Sequence, residues 1–197
     1  MADLEKTGKN LEGRGFRVHR FASGAEAAEF LVQTLHGTSI GIGGSVTIDT
    51  LGVYDRLCGS NEVFWHWKNH APETRERAGK AETYLCSANG VSETGEIVNI
   101  DGFGNRVAGT IYGPERVFLV VGRNKIAPDL TGAIDRARNI AAPLNARRLN
   151  RHTPCAVGEP RCHDCRSPEK ICGVMTVFFM PPTSIKEFHV ILVDEDL

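Results

Sequence analysis

A glycine-rich segment with two hydroxyl side chains is the first feature of the sequence that could bind a ligand. It reads GIGGSVT over residues 41–47 and lies where a short apolar run gives way to a helical pattern. Gly43 and Gly44 would let backbone N–H groups approach an anion, and Ser45 and Thr47 could add hydroxyl contacts. The alternative is structural: the glycines permit close packing, and Ser45 caps the helix. The segment is neither a Walker loop nor the GxGxxG motif, so no nucleotide cofactor is predicted.

A second candidate segment, residues 89–106, is dense in polar side chains and glycine. Its amides are Asn89, Asn99 and Asn105. Arg106 has the planar fork that binds phosphate or carboxylate, and Glu93 or Asp101 could act as acid, base or nucleophile. Asx turns alone would also account for this composition. The residue types therefore indicate either ligand chemistry or a series of turns.

The third candidate segment is GRNK, residues 122–125, which follows the clearest predicted strand. That strand, residues 117–121, is apolar and mostly β-branched, as expected of a parallel strand covered on both faces. Lys125 could neutralise a bound anion with Asn124 beside it, and the alternative is an ordinary solvated lysine. Because ligands bind beyond the carboxyl ends of parallel strands, all three segments are predicted to meet at one edge of a sheet.

Four cysteines towards the carboxyl end have a spacing that suits metal binding. They follow the pattern C-x6-C-x2-C-x6-C at Cys155, Cys162, Cys165 and Cys172. Four thiolates complete a tetrahedral zinc site and equally supply the ligands of one [4Fe-4S] cluster, so the metal stays open. Reduced thiols without a metal are the alternative, but residues 151–173 have no apolar periodicity to order them. The spacing predicts a metal-binding loop that is structural or electron-carrying.

The elements that would position these residues alternate between strand and helix. Capping signals and apolar periodicity predict helices over residues 25–36, 46–57, 73–80, 106–112, 130–140 and 143–149. Strands are predicted over residues 39–42, 62–65, 83–87, 117–121, 174–179 and 188–193, with a hairpin within 91–100. Repeated βα units predict an α/β fold, a mostly parallel sheet flanked by helices on both faces, in one domain over residues 1–197. The cysteine loop, residues 151–173, would be inserted before the last strands.

Composition favours a water-soluble globular protein and argues against two classes of partner. The 197 residues are 41% apolar and 24% charged, with a net charge of −1. Such a balance gives no broad attraction for nucleic acid or for a membrane surface, and neither partner is predicted. No apolar run reaches the ~20 residues needed to cross a bilayer, and the amino terminus lacks a secretory signal pattern. A cytoplasmic location is expected.

Four sequence segments together carry a resemblance to a known family. They are GIGGSVT, NGVSETGEIVNIDGFGNRVAGTIYGP, VFLVVGRNKI and RNIAAPLNARRL, which span roughly residues 16–150. In order and spacing they resemble the LUD (lactate utilisation) domain family, specifically its YkgG-like group. The resemblance implies a fold of the NagB, RpiA and CoA-transferase class, whose members bind phosphorylated sugars or acyl-CoA thioesters. It therefore implies a pocket for a small anionic metabolite.

The resemblance leaves two kinds of function open. Members of the family are linked to oxidation of lactate to pyruvate, beside separate iron–sulfur and flavin-type subunits. The chain would then be either an enzyme, for instance a CoA-transferase-like one in which Glu93 or Asp101 attacks the acyl group, or a noncatalytic subunit. The noncatalytic alternative binds a metabolite and uses the cysteine site as an electron relay or redox sensor. Fold relatives also suggest a homodimer.

Overall fold

Helices and strands alternate along residues 2–197, the part of the chain that the computed structural model describes. The helices are α1 (Leu4–Gly13), α2 (Gly24–Thr34), α3 (Val46–Thr50), α4 (Tyr54–Cys58), α5 (Thr74–Lys80), α6 (Asn105–Ile111), α7 (Leu130–Arg136), α8 (Ala142–Arg148) and α9 (Pro154–Val157). The strands are β1 (Arg17–Phe21), β2 (Ser39–Ile42), β3 (Glu62–Trp65), β4 (Thr83–Ser87), β5 (Gly90–Ser92), β6 (Ile97–Asp101), β7 (Arg116–Gly122), β8 (Ile126–Ala127), β9 (Val174–Phe178) and β10 (Glu187–Val193). A 3-10 turn covers Arg123–Lys125, and a π-helical turn covers Ala137–Ala141 between α7 and α8.

Six strands form a parallel main sheet in the order β1-β10-β7-β4-β2-β3. Strands β7 and β10 pair along their whole length and are buried on both faces. This burial explains why their sequences are nearly continuous apolar runs rather than alternating ones. The predicted α/β fold with a mostly parallel sheet flanked by helices is confirmed.

A second sheet of four strands, in the order β8-β5-β6-β9, packs beside the main one. Its β5 and β6 are antiparallel, which confirms the predicted hairpin within residues 91–100. Strand β9 joins this sheet antiparallel to β6, whereas β10 enters the main sheet between β1 and β7. The two carboxyl-terminal strands thus lie in different sheets, and Pro181 and Pro182 lie in the segment that connects them.

Three apolar clusters hold these layers together. Leu31 and Ile48 belong to the cluster that α2, α3 and α4 form on one face of the main sheet. On the opposite face, Leu11 of α1 and Ile97 of the second sheet pack into another cluster. Ala137 and its neighbours, from α7 to α8, cover the outer face of the second sheet. The second sheet is therefore enclosed between the main sheet and the α7–α8 layer.

Two local features differ from the sequence-based expectation. The single helix predicted over residues 46–57 is wrong, because Gly52 adopts a φ of 63° between α3 and α4. Helix α1 and strand β1 were not predicted. Strand β1 is an edge strand that exposes Arg17 and Arg20, so it lacks a clear alternating pattern.

The cysteine loop has little regular structure. Residues 158–173 contain neither helix nor strand, and all four predicted ligands are partly exposed. Within residues 2–197, no three His, Cys, Asp or Glu side chains are already arranged around a common metal position. Metal binding by this loop stays a prediction. No helix in the same range has both the length and the apolar character needed to cross a membrane.

Gly41 of β2 lies under α5, where a side chain has no room. A Cβ atom there would collide with the backbone carbonyl of Ala78. We expect Gly41→Ala to lower the free energy of unfolding by roughly 2–3 kcal/mol, because backbone cannot rotate away as a side chain can. Gly79→Ala is the matched control, since its Cβ would meet open space and alanine favours a helix by about 1 kcal/mol. Urea denaturation of both variants measures the change in the free energy of unfolding. A Gly41→Ala protein as stable as wild type would contradict the close packing of β2 against α5.

Candidate functional site

The three segments predicted to share one edge of the sheet do meet there. Ser45 follows β2, Asn89 follows β4 and Lys125 follows β7, and all three line one cavity of about 330 Å³. Its other lining residues are Gly44, Val46, Thr47, Trp67, Ser87, Ala88, Arg106, Asn124, Arg136, Ala141, Leu144, Asn145, Arg148 and Leu197. The convergence follows from topology, because β2, β4 and β7 are parallel neighbours whose carboxyl ends point the same way.

Lys125 is the most unusual side chain of this cavity. It is only 9% exposed, and its Nζ donates hydrogen bonds to the Thr47 Oγ1 and, at 2.8 Å, to the Ser87 Oγ. Among residues 2–197 no carboxylate lies within salt-bridge distance of it. A buried lysine is ordinarily paired with an anion, so Lys125 stands without its usual counter-charge.

The surroundings of Lys125 disfavour its charged form. Its pKa is lowered to about 7, first by burial and then by the positive charges of Arg136 and Arg106. Burial acts because the ammonium loses its hydration, and the guanidinium groups act by repulsion. A large part of Lys125 is therefore a neutral amine near neutral pH.

Three arginines add positive charge to the cavity, and protein carbonyls or amides rather than carboxylates hold them. Arg106 donates to the Asn89 Oδ1 at 3.0 Å and to the Ile100 carbonyl. Arg136 donates to the Asn124 carbonyl at 2.8 Å and to the Asn89 carbonyl. The third, Arg148, donates to the Asn145 Oδ1 at 2.8 Å and lies over the Trp67 ring. Because these partners carry no net charge, the cavity is cationic and suits an anion.

A larger cavity of about 560 Å³ adjoins the first and shares five residues with it. The shared residues are Gly44, Trp67, Arg106, Asn145 and Arg148. Asp101, Asn105 and Glu169 line this second space, together with the basic residues Arg75, Arg151 and Lys170. We refer to the two cavities together as the cationic cleft.

Asp101 lies in the cationic cleft, but its carboxylate is already engaged. One oxygen accepts from the Gly102 N–H at 2.8 Å, and the other accepts from the Arg106 N–H at 2.9 Å and the Val107 N–H at 3.3 Å. The bonds from Arg106 and Val107 satisfy backbone donors in the first turn of α6. The observed contacts therefore assign Asp101 to positioning α6, and with it Arg106.

Three of the predicted site residues, Glu93, Asn99 and Gly43, do not line the cationic cleft. Glu93 accepts from the backbone N–H of Asp3 at 3.1 Å and from Lys6 Nζ at 3.0 Å, and these bonds lower its pKa. It joins the second sheet to α1 and does not line the cationic cleft. Asn99 is fully buried on β6, and its amide finds no hydrogen-bond partner among the described residues. Gly43 packs closely between Tyr84 and Arg106, where an added Cβ would lie 3.0 Å from the Tyr84 hydroxyl and 3.2 Å from the Arg106 Cγ.

The predicted metal ligands lie beside the α7–α8 layer. Cys172 packs against the apolar cluster that contains Ala137. Burial raises the pKa of Cys172, and the nearby thiols of Cys162, Cys165 and Cys155 add to the increase. The Cys162 sulfur accepts two hydrogen bonds at 3.4 Å, one from the Arg138 side chain and one from the Asp164 backbone N–H. The four thiols therefore share one neighbourhood.

Comparison with known proteins places this architecture in a family. A model of the LUD domain matches residues 4–193, which is nearly the whole chain. The chain belongs to the LUD domain family. This confirms the resemblance carried by the four segments and extends the match from roughly residues 16–150 to residues 4–193. The family is related to lactate utilisation.

One solved structure supports the fold of the LUD domain. A DUF162 family protein from Deinococcus radiodurans is similar with a TM-score of 0.56 and 15% sequence identity, covering 96% of this chain and 95% of that chain. At this identity the likeness shows the shared fold alone. No curated protein matches the chain.

Sequence reasoning missed several residues that line the cleft of this LUD domain. Ser87 ends β4, Arg136 ends α7 and Arg148 ends α8. A basic residue near a helix end is ordinary, because it complements the helix dipole. For Arg148 the available signal was the segment RNIAAPLNARRL, residues 138–149, which carried the family resemblance but had been assigned no ligand role.

Proposed function

We propose that this LUD domain is an enzyme of organic-acid metabolism that binds a small anionic metabolite in the cationic cleft. The ligand is a carboxylate, a phosphate or a CoA-type thioester. Lys125 is the group that exchanges a proton with it. One observation carries the proposal: a buried lysine without a carboxylate partner lines a cavity that three arginines make positive.

An anionic ligand would supply the charge that the cleft lacks. The ammonium form of Lys125 is destabilised because no counter-ion offsets its burial. A bound carboxylate or phosphate would offset that penalty and also accept hydrogen bonds from Arg106 and Arg148. The same argument explains proton exchange, because a lysine with a pKa near 7 can both give and take a proton at neutral pH.

Cavity size favours a small ligand beside Lys125 and leaves room for a larger appendage. The inner cavity measures about 330 Å³, near the lower end of the ~300–1,000 Å³ typical of ligand pockets. The adjoining 560 Å³ cavity could hold the remainder of a larger molecule such as an acyl-CoA.

Acyl transfer through a carboxylate nucleophile has less support than proton transfer through Lys125. Glu93 lies outside the cleft, and both oxygens of Asp101 accept backbone N–H bonds. Neither carboxylate is presented to the inner cavity.

The second candidate function is a noncatalytic subunit that binds a metabolite and docks separate iron–sulfur and flavin-type subunits. It is favoured by the shared neighbourhood of the four cysteines. In either case, we propose that Cys155, Cys162, Cys165 and Cys172 together bind one zinc ion or one [4Fe-4S] cluster. Thiolates fit both groups, and the loop that carries them has no helix or strand over residues 158–173 to order it otherwise.

Ligand binding tests the proposed function. Calorimetric titration with pyruvate, inorganic phosphate and CoA should show saturable binding of at least one. We expect Arg148→Met to weaken it on the order of tenfold, because hydrogen bonds to charged groups contribute roughly 1.5–3 kcal/mol.

Arg147→Met is the matched control on the same helix. Arg147 carries the same charge but donates to the Ala156 and Gly158 carbonyls and does not line the cleft. If both variants weakened ligand binding equally, the effect would come from the general positive charge of the protein and not from a specific site. The absence of binding to every probe would overturn the proposed function.

A further inference from the structure

The hydrogen bonds of Lys125 leave its neutral amine with an unused lone pair. A neutral primary amine has two N–H groups and one lone pair. The hydroxyl oxygens of Thr47 and Ser87 accept two hydrogen bonds from Lys125 Nζ, which accounts for both N–H groups. The lone pair is then available as a nucleophile on a residue that lines the inner cavity together with both of its hydroxyl partners.

The groups around this amine would orient an electrophile that carries a negative charge. Arg106 and Arg136 line the same cavity, and their hydrogen-bond partners are neutral oxygens. A carboxylate or phosphate held by the Arg106 or Arg136 guanidinium, rather than by Lys125 itself, would bring a carbonyl carbon close to the neutral Lys125 Nζ. Proximity of this kind is what makes amine addition to a carbonyl fast.

We propose that Lys125 forms a Schiff base with a small carbonyl compound that carries an anionic group, such as a 2-oxo carboxylate. The inference rests on the proposed function, because the anionic group must first bind in the cationic cleft. It adds a substrate class and a covalent role for Lys125.

The step is balanced without any further reactant. The Nζ lone pair attacks the carbonyl carbon, and the carbonyl π electrons move to oxygen, which takes up a proton to give a carbinolamine. Loss of that hydroxyl as water, with a proton from nitrogen, forms the C=N bond. The hydroxyls of Thr47 and Ser87 are placed to relay these protons.

Reductive trapping tests the inference. The protein is incubated with pyruvate and sodium borohydride, which delivers hydride to an imine carbon and makes the linkage permanent. Intact-mass measurement should show one adduct per chain, and peptide mapping should place it on Lys125. Lys125→Met should lose the adduct. Lys68→Met should keep it, because Lys68 is exposed and pairs with Asp49 at 2.9 Å.

Acetaldehyde, a carbonyl compound without charge, is the ligand control. We expect it to label Lys125 at least tenfold less than pyruvate does at equal concentration, because no anionic group would hold it. Equal labelling would overturn the requirement for an anionic group. If pyruvate binds in the titration but gives no adduct, or gives adducts spread over exposed lysines, the Schiff base is overturned and the proposed function stands. Mapping on the wild-type protein decides this even if Lys125→Met does not fold.

Discussion

Replacing Lys125 with methionine is expected to raise the free energy of unfolding near neutral pH, and this advantage should disappear as the pH rises. The pKa of Lys125 is about 7 in the folded protein, whereas the ordinary value for a lysine is 10.5. Each pKa unit of this difference corresponds to about 1.4 kcal/mol, so burying the lysine lowers the free energy of unfolding by up to roughly 5 kcal/mol. Loss of the bonds to Thr47 and Ser87 would offset part of the gain, leaving about 1–3 kcal/mol.

The sign of the pH dependence follows from proton binding. Between about pH 7 and 10.5 the unfolded chain holds a proton on Lys125 that the folded chain has released, so wild-type stability rises with pH in this window. The destabilisation caused by burying Lys125 is fully present below the pKa of Lys125 in the folded chain. It is absent above the pKa of Lys125 in the unfolded chain. The charged and titratable groups that set it are Arg136, Arg106 and Cys86, and they remain in the variant.

Urea denaturation across this window measures the effect. Lys68→Met is the control, because Lys68 is exposed and its Asp49 partner is also partly exposed. We expect its difference from wild type to stay below about 1 kcal/mol at each pH. A Lys125→Met protein that is less stable than wild type near pH 7, with no change as the pH rises, would show that Lys125 is an ordinary ammonium in the fold.

Replacing Cys172 with serine is expected to abolish metal binding. The protein purified without oxygen should hold one metal site per chain, because four thiolates bind zinc or a [4Fe-4S] cluster tightly and a lost thiolate opens the coordination shell. Free energies of structural zinc binding run to about 10 kcal/mol or more. We therefore also expect residues 151–173 of the variant to be cut much faster by protease. Cys58→Ser is the control, because Cys58 is exposed at the end of α4, outside the cysteine loop.

Metal analysis and the visible spectrum distinguish the two candidate functions. About four iron and four sulfide per chain, with a broad band near ~400 nm, would favour an electron relay. About one zinc without colour would make the loop structural and leave the cationic cleft as the functional centre. A metal-free wild-type protein, indistinguishable from Cys172→Ser, would overturn the metal proposal.

Sequence patterns could locate the inner cavity because a parallel sheet imposes its own geometry. Ser45, Asn89 and Lys125 each follow a buried apolar strand, and strands of that kind end at a common edge. The assignment required only strand positions and direction. It did not require knowledge of any contact between the segments.

Roles of single side chains could not be predicted in the same way. Glu93 and Asp101 are both carboxylates in the same polar stretch, yet a hairpin turn carries Glu93 to α1, whereas Asp101 meets the start of α6. Their separation depends on the second sheet, whose strand order involves β8 and β9 from distant parts of the chain. Arg136 was missed for the same reason, because only tertiary packing brings α7 against the cavity.

Lys125 lacks a counter-charge in the protein alone, and we expect an anionic ligand to supply one. Nuclear magnetic resonance of isotopically labelled lysine side chains, with the Lys125 signal assigned through Lys125→Met, measures its titration directly. We predict a midpoint near 7, which saturating inorganic phosphate raises because the anion stabilises the ammonium. A Lys125 signal that titrates in the ordinary range near 10.5, unchanged by phosphate, would contradict the account.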